Sequence, residues 1–353
     1  MDLNETKIRK IYDKLQDDIS KKVFANRLLL EITEDRKYLW NMLKSIPEIR
    51  LLYKEIKLRK YKRNVIFGAG QRGLTLKNLF PDAEWYCFID NYKNGSMLQD
   101  IPVVSVNDLE NIKDEIFVYV TPENEYSNIE NQLLSFGISK NNIFDFTNVL
   151  TSQNNNQYFE QFFCHDDEEI FVDAGVYDGE TTLQFCEWCK NKYAGIYLFE
   201  PSLDYFDRFY KNVQNLENCQ WIKKGLWSET TTISFFERPD SDISSEKNLS
   251  GIQSDHVYDC GKWIKVPVVS LDEALKNKRV TFIKMDIEGS ECEAIKGARN
   301  IIASCKPKLA ICVYHKKGDL IRIPDTILDI NSEYQFYMRH KGMGILDTVL
   351  YGV

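Results

Sequence analysis

The run from Phe171 to Thr182, Phe-Val-Asp-Ala-Gly-Val-Tyr-Asp-Gly-Glu-Thr-Thr, constrains the fold of this chain more than any other stretch. A short apolar segment ends in a carboxylate, turns through two glycines and enters a helix-compatible run. It reads as a strand, a tight loop and a helix N-terminus, the unit from which doubly wound α/β sheets are built. Gly175 and Gly179 let the backbone turn sharply and lie against a ligand with no side chain in the way. Asp173 falls at the carboxyl end of the strand, where open parallel sheets bind their ligands. Its negative charge argues against a pyrophosphate there and suits a ligand carrying positive charge, such as the ammonium and sulfonium of S-adenosylmethionine.

Around this unit the chain divides. The 353 residues suffice for two ordinary domains. Residues 1–60 read as a helical arm, with Ile8, Ile11, Tyr12, Leu15 and Ile19 at helical spacing and Val23, Phe24, Arg27 and Leu28 continuing it. Thr33 is placed to cap a further helix through Leu43, stopped by Pro47. Six basic residues between Lys54 and Arg63 (Lys54, Lys57, Arg59, Lys60, Lys62, Arg63) read as a solvated face, with phosphate steering as the alternative. Residues 61–150 form a second, smaller Rossmann-like domain. There Asn64 to Phe67 reads as a strand, Gly68-Ala69-Gly70-Gln71-Arg72-Gly73 opens a helix, and a strand from Trp85 ends in Asp90. A Gly-x-Gly-x-x-Gly with an acid about 20 residues on is the dinucleotide fingerprint, so Gly68, Gly70, Arg72, Gly73 and Asp90 are candidates for a nucleotide or nucleotide-sugar. A purely structural domain is the equal alternative.

Residues 151–157 read as a polar linker, and residues 158–353 as the domain built on the Asp173 loop. Its expected strands are 170–173, 195–199, 220–223, 281–285, 309–313, 334–339 and 348–351. The first five alternate with helical segments and imply a parallel sheet; the last two are joined as a β-hairpin. Ile233 to Phe236 and Trp263 to Val266 read as extended pieces flanking a Ser/Asp-rich loop, 241–254, of the kind that serves as a binding element.

The candidate chemistry lies at strand ends. Glu200, after Tyr197-Leu198-Phe199, is placed to accept hydrogen bonds from ribose hydroxyls, with Pro201 following it. Lys284, Asp286 and Glu288 alternate at the end of another strand and would project to one side while the strand lasts. They are costly there unless paired or used. His315 ends the next strand and is a candidate general base; His340 precedes the hairpin, while His165 and His256 suggest nothing particular. Asp286 could contribute to a divalent site, but no complete ligand set is legible, so no metal is expected. Cys186 and Cys189 lack a second pair at zinc spacing and read as core residues.

In this order the pieces resemble the FkbM-type methyltransferases. They are Asp173-Ala174-Gly175, Tyr177-Asp178-Gly179-Glu180-Thr181, Phe199-Glu200-Pro201, Ser270-Leu271-Asp272, Lys284-Met285-Asp286-Ile287-Glu288-Gly289 with Glu291, Lys296-Gly297-Ala298, Tyr314-His315 and Thr348 to Tyr351. The resemblance implies a class I methyltransferase sheet ending in a β-hairpin, S-adenosylmethionine as donor, and methylation of a hydroxyl oxygen. It implies that Asp173, Gly175 and Gly179 hold the methionine end of the donor and Glu200 the ribose, with Tyr177, Asp178, Thr181 and Pro201 also lining the donor site. Lys284, Asp286, Glu288 and His315 remain the candidates for acceptor chemistry. Paired with the smaller domain, the likeness suggests a sugar or glycan acceptor. An NAD-dependent nucleotide-sugar enzyme working through Gly68 to Asp90, or a non-catalytic scaffold, are the competing readings. Net charge of -8 argues against nucleic acid and anionic membranes as partners. The polar first residues, the lack of an apolar span and the nine cysteines point to the cytoplasm.

Overall fold

The computed structural model describes residues 5–59, 61–122, 125–147, 149, 157–202, 206–237, 262–342 and 345–353. The chain forms two compact units, one of Asp35–Asn155 and one of Met1–Glu34 with Asn156–Val353. The expected arm of residues 1–60 is therefore divided between them.

In the unit Asp35–Asn155, six strands lie in the order β3-β4-β2-β1-β5-β6. They are β1 (Arg63–Phe67), β2 (Trp85–Ile89), β3 (Ser96–Leu98), β4 (Ile101–Val104), β5 (Ile116–Val120) and β6 (Ile143–Asp145). All neighbours are parallel except the β3–β4 pair. β5 is buried along its whole length, as a central strand covered on both faces must be. Pro47 does not merely stop the preceding helix; it opens the helix Pro47–Leu58, where its missing N–H costs nothing. Within the basic run, Arg59 pairs with Glu55, Lys57 with Asp82 and Arg63 with Glu115, three separate ion pairs that account for half of its six basic residues. Lys60 and linker residues 151–156 lie outside the described residues.

The other unit is built on seven strands in the order β15-β16-β14-β13-β7-β8-β9. These are β7 (Glu169–Ala174), β8 (Tyr193–Phe199), β9 (Cys219–Ile222), β13 (Phe282–Met285), β14 (Lys308–Cys312), β15 (Phe336–His340) and β16 (Thr348–Gly352). The first five run parallel, and β16 inserts antiparallel between β14 and β15, which is the expected sheet with its terminal hairpin. β10 (Gly225–Leu226), β11 (Thr231–Glu237) and β12 (Lys262–Val269) make a small separate sheet. The two extended pieces expected there pair directly, Phe235 opposite Ile264. The loop 241–254, His256, Met343 and Gly344 are outside the described residues.

The first helices belong to this unit for a physical reason. β15 is a sheet edge, and an uncovered edge exposes unpaired backbone groups. Between α1 (Glu5–Lys14) and α2 (Asp18–Thr33), Leu15 bridges Phe336 and Gln16 N–H donates to Phe336 O at 2.9 Å. Ser20 Oγ then accepts from Met338 N–H at 2.9 Å. Val23 and Phe24, both at 1% exposure, bury the apolar face of α2. Among the described residues, no helix is long and apolar enough to cross a membrane.

Candidate active site

Gly175 follows β7 with φ +81°, and a Cβ there would stand 1.8 Å from Asp286 O. The loops leaving β7 and β13 therefore touch backbone to backbone, which only glycine permits. Gly179, at φ +81°, caps the helix Glu180–Trp188. Asp178 Oδ1 accepts from Glu180 N–H at 3.0 Å, and Asn212 donates to Asp178 O at 2.8 Å. Tyr177 is 43% exposed, with Arg208 over its ring and donating to its hydroxyl at 3.1 Å. Thr181 lies in the first turn of the helix, half-buried.

Asp173 is fully buried. Its carboxylate accepts from Thr182 Oγ1 at 2.7 Å and from Lys284 Nζ at 3.0 Å. Lys284 also donates to Gly175 O at 2.6 Å, so one ammonium joins β13, β7 and the glycine loop. The positive charge that Asp173 meets within the protein is thus Lys284, and the aspartate braces the loop from beneath. Burial opposes the charge on Lys284, but Asp173 and Asp286 outweigh it and hold its pKa above the ordinary value.

Glu200, 6% exposed, stands at the end of neighbouring β8 with Pro201 after it. Its carboxylate accepts from Ser202 N–H at 2.9 Å and is favoured in its charged form by the amides of Tyr177 and Val176. Burial nevertheless raises its pKa. The acid and the glycine loop accordingly face one another across adjacent strand ends.

On the other side of β7, β13 ends at Met285, and the alternation expected of Lys284, Asp286 and Glu288 ends with it. Lys284 turns to Asp173, whereas Asp286 and Glu288 come from the loop and face His315. Asp286 accepts from Tyr158 OH at 2.9 Å and Tyr314 OH at 3.0 Å, and lies 3.3 Å from His315 Nε2. Desolvation works against its ionisation, but His315, Lys284 and the two hydroxyls keep its pKa below the ordinary range. Glu288, with 44% of its side chain exposed, is 3.7 Å from the same Nε2. Glu291 is fully buried; it accepts from Ile287 N–H at 2.8 Å and lies 2.9 Å from His315 Nδ1. Although burial disfavours the imidazolium, Glu291, Glu288 and Asp286 push His315 up to about 10, so it keeps its proton at neutral pH.

α2 holds the surrounding loops. Arg27 donates to Ile345 O, and Glu31 accepts from Gly318 N–H at 3.1 Å. His340 spans the hairpin instead, with Nδ1 at 2.8 Å from Thr348 Oγ1, and His165 packs its ring edge-on to Trp188. Cys186 and Cys189 are buried against Phe185 in the core, where burial pushes the Cys186 thiol up to about 12. Thr182, Tyr158, Tyr314 and Glu291 were not among the candidates read from sequence. Thr182 and Tyr314 adjoin residues that were, and Glu291 lies in the quoted motif; Tyr158 carried no signal, because only the fold brings it 128 positions along the chain to Asp286.

In the other unit, Gly68 to Gly73 keeps the tight geometry of its fingerprint: a Cβ on Gly73 would meet Gly68 O at 2.0 Å. Space is open around Gly70, which caps the helix Gln71–Leu79, and Arg72 lies in that helix's first turn. Asp90, however, accepts from the backbone amides of Ala69, Tyr92 and Lys93 at 2.9, 2.9 and 3.1 Å.

Residues 173–338 match the family model for the methyltransferase FkbM domain. No curated protein shows significant sequence similarity to the chain. Among solved structures, a methyltransferase FkbM from Methylobacillus flagellatus is similar at 20% identity and a TM-score of 0.46, over 95% of this chain and 99% of that one. An rRNA methylase from Streptococcus thermophilus is similar at 13% identity and a TM-score of 0.34, over 57% of this chain and 92% of its own. Aeropyrum pernix fibrillarin, solved with natively bound S-adenosyl-L-methionine, is similar at 10% identity and a TM-score of 0.36, over 57% and 74%.

Proposed function

We propose, from the match of residues 173–338 to the methyltransferase FkbM domain model, that the protein transfers the methyl group of S-adenosylmethionine to a hydroxyl of a sugar or glycan. The observation that carries this reading is Glu200 facing the Gly175–Gly179 loop across adjacent strand ends, with Asp286 on the opposite side of β7. Glu200 supplies acceptor oxygens for ribose hydroxyls, and the loop backbone lines the methionine end. Asp173 and Lys284 contribute by fixing that loop. The sulfonium is already a good leaving group, so holding the acceptor oxygen about 3 Å from the methyl supplies much of the acceleration. Asp286 and Glu288, carboxylates beside a protonated His315, orient the acceptor hydroxyl and take its proton late. The candidate role of base thus passes to the carboxylates, with His315 setting their charge. For the unit Asp35–Asn155, the nucleotide reading gains no support from Asp90, whose carboxylate already serves three backbone amides.

Calorimetry on the intact protein tests the donor. S-Adenosylmethionine is expected to bind, and Glu200→Ala to weaken it more than roughly tenfold, given about 1.5–3 kcal/mol per charge-assisted hydrogen bond lost. No binding to the wild-type protein would overturn the reading. The acceptor class is tested by release of S-adenosylhomocysteine across a panel of sugars, glycans and non-carbohydrate alcohols. Turnover only with the last group would remove the sugar assignment.

A further inference from the structure

Three residues from two loops and a helix meet beside the strand ends. Asp286 follows β13, Glu291 opens the helix Glu291–Lys296, and His315 follows β14. Each brings one ligand atom to within 4.8 Å of the other two. We propose that Asp286, Glu291 and His315 form a binding site for a divalent cation.

Two observations besides the grouping point to a cation. The first is Glu291 itself. Its side chain is fully buried; one oxygen meets Ile287 N–H and His315, while Oε2 is buried with no hydrogen-bond partner among the described residues. A buried carboxylate oxygen without a donor is costly, and such atoms in folded proteins call for a partner. The second is charge. Asp286, Glu288 and Glu291 all lie within 3.7 Å of His315, so three carboxylates face one imidazole. Lys284, also buried, is already paired with Asp173. A divalent ion supplies both the missing partner and the missing positive charge, and its binding displaces the proton that His315 holds in the ion-free protein.

The donor set narrows the ion. Imidazole nitrogen with carboxylate oxygens suits Mn²⁺ or Zn²⁺ better than Mg²⁺ or Ca²⁺, which favour all-oxygen sites. Asp286 keeps 29% of its side chain exposed, so the site opens toward the face where an acceptor would lie. A cation there would polarise an acceptor oxygen and lower the pKa of its hydroxyl.

The test needs neither methyl donor nor acceptor, so its failure leaves the methyltransferase reading untouched, and the converse also holds. The full-length protein, stripped with chelator, is titrated with Mn²⁺ alone and followed by loss of the free-ion electron paramagnetic resonance signal; Zn²⁺ alone is titrated by calorimetry. One ion per chain is expected, weakened more than roughly tenfold by Glu291→Gln and by His315→Gln, and unchanged by Asp35→Asn on the other unit. Should either buried-site variant fail to fold, the wild-type protein decides by itself. Electron spin-echo spectra of bound Mn²⁺ are expected to carry the nitrogen modulation of a directly ligated imidazole. Binding of neither ion, or bound Mn²⁺ without that modulation, overturns the proposal.

Discussion

Asp173 and Lys284 face each other with 0% and 3% of their side chains exposed, and each holds something the other needs. The lysine neutralises the aspartate and ties down Gly175 O; the aspartate keeps the ammonium charged where burial would strip its proton. Removing one partner leaves the other charge buried and alone, which costs about 3–5 kcal/mol. Lys284→Met is expected to lower stability in urea unfolding by about that amount, and the double variant Asp173→Asn/Lys284→Met to recover most of it. Equal losses in the single and double variants would mean that the pair is not coupled. Glu200 presents a different balance. Its raised pKa lets the folded chain keep a proton that the unfolded chain has released. Stability therefore falls as pH rises from the ordinary glutamate range through the raised value. Glu200→Gln should match the wild type in acid, exceed it in melting temperature at neutral pH, and bind S-adenosylmethionine more weakly. Such a gain in stability with a loss of binding marks a residue retained for its ligand.

At the scale of elements, α2 does two things at once. Its N-terminal end covers β15 through Asp17, which accepts from Ser20 N–H at 2.7 Å and pairs with Arg339 at 2.7 Å. Further along, Arg27 and Glu31 hold the loops at Ile345 and Gly318. Asp17→Ala removes a helix cap together with a partly buried ion pair and is expected to cost about 1–3 kcal/mol. Arg27→Ala should act differently. It frees loops at the acceptor side, so it is expected to raise the acceptor's KM while donor affinity, read by calorimetry, stays within about twofold. A fall in donor affinity alone would place the influence of α2 elsewhere.

For the whole molecule, the unit Asp35–Asn155 is one continuous piece of chain, whereas the other unit is assembled from two. The continuous unit has its own core, with Val65, Phe67, Ile89, Val118, Val120 and Leu133 packed together. Residues 35–155 expressed alone are expected to unfold in a single cooperative thermal transition. Residues 158–353 alone lack the segment that covers β15, so aggregation is expected from them at concentrations where the full chain stays monodisperse. Soluble, cooperatively folding 158–353 would mean that residues 1–34 are dispensable for that fold.

Much of this was legible in the one-dimensional pattern because it rests on local rules. The strand, loop and helix at Phe171–Thr182, the parallel alternation and the closing hairpin follow from apolar period, glycine placement and connection length, and each appears where expected. Glu200 could be placed beside the loop because parallel neighbouring strands carry their ends to one edge. Partnership between side chains could not be read this way. The charges of Lys284 and Asp286 looked alike in a period of two, but the strand stops between them, so one turns to Asp173 and the other to His315. Nor does sequence distance say that Leu15 to Ser20 covers β15, or that Tyr158 reaches Asp286. The sequence by itself determined the Asp173–Thr182 loop and the sheet it opens, because backbone geometry is set residue by residue. Only the tertiary structure decided which buried charge meets which, because pairing depends on burial and on approach between distant segments.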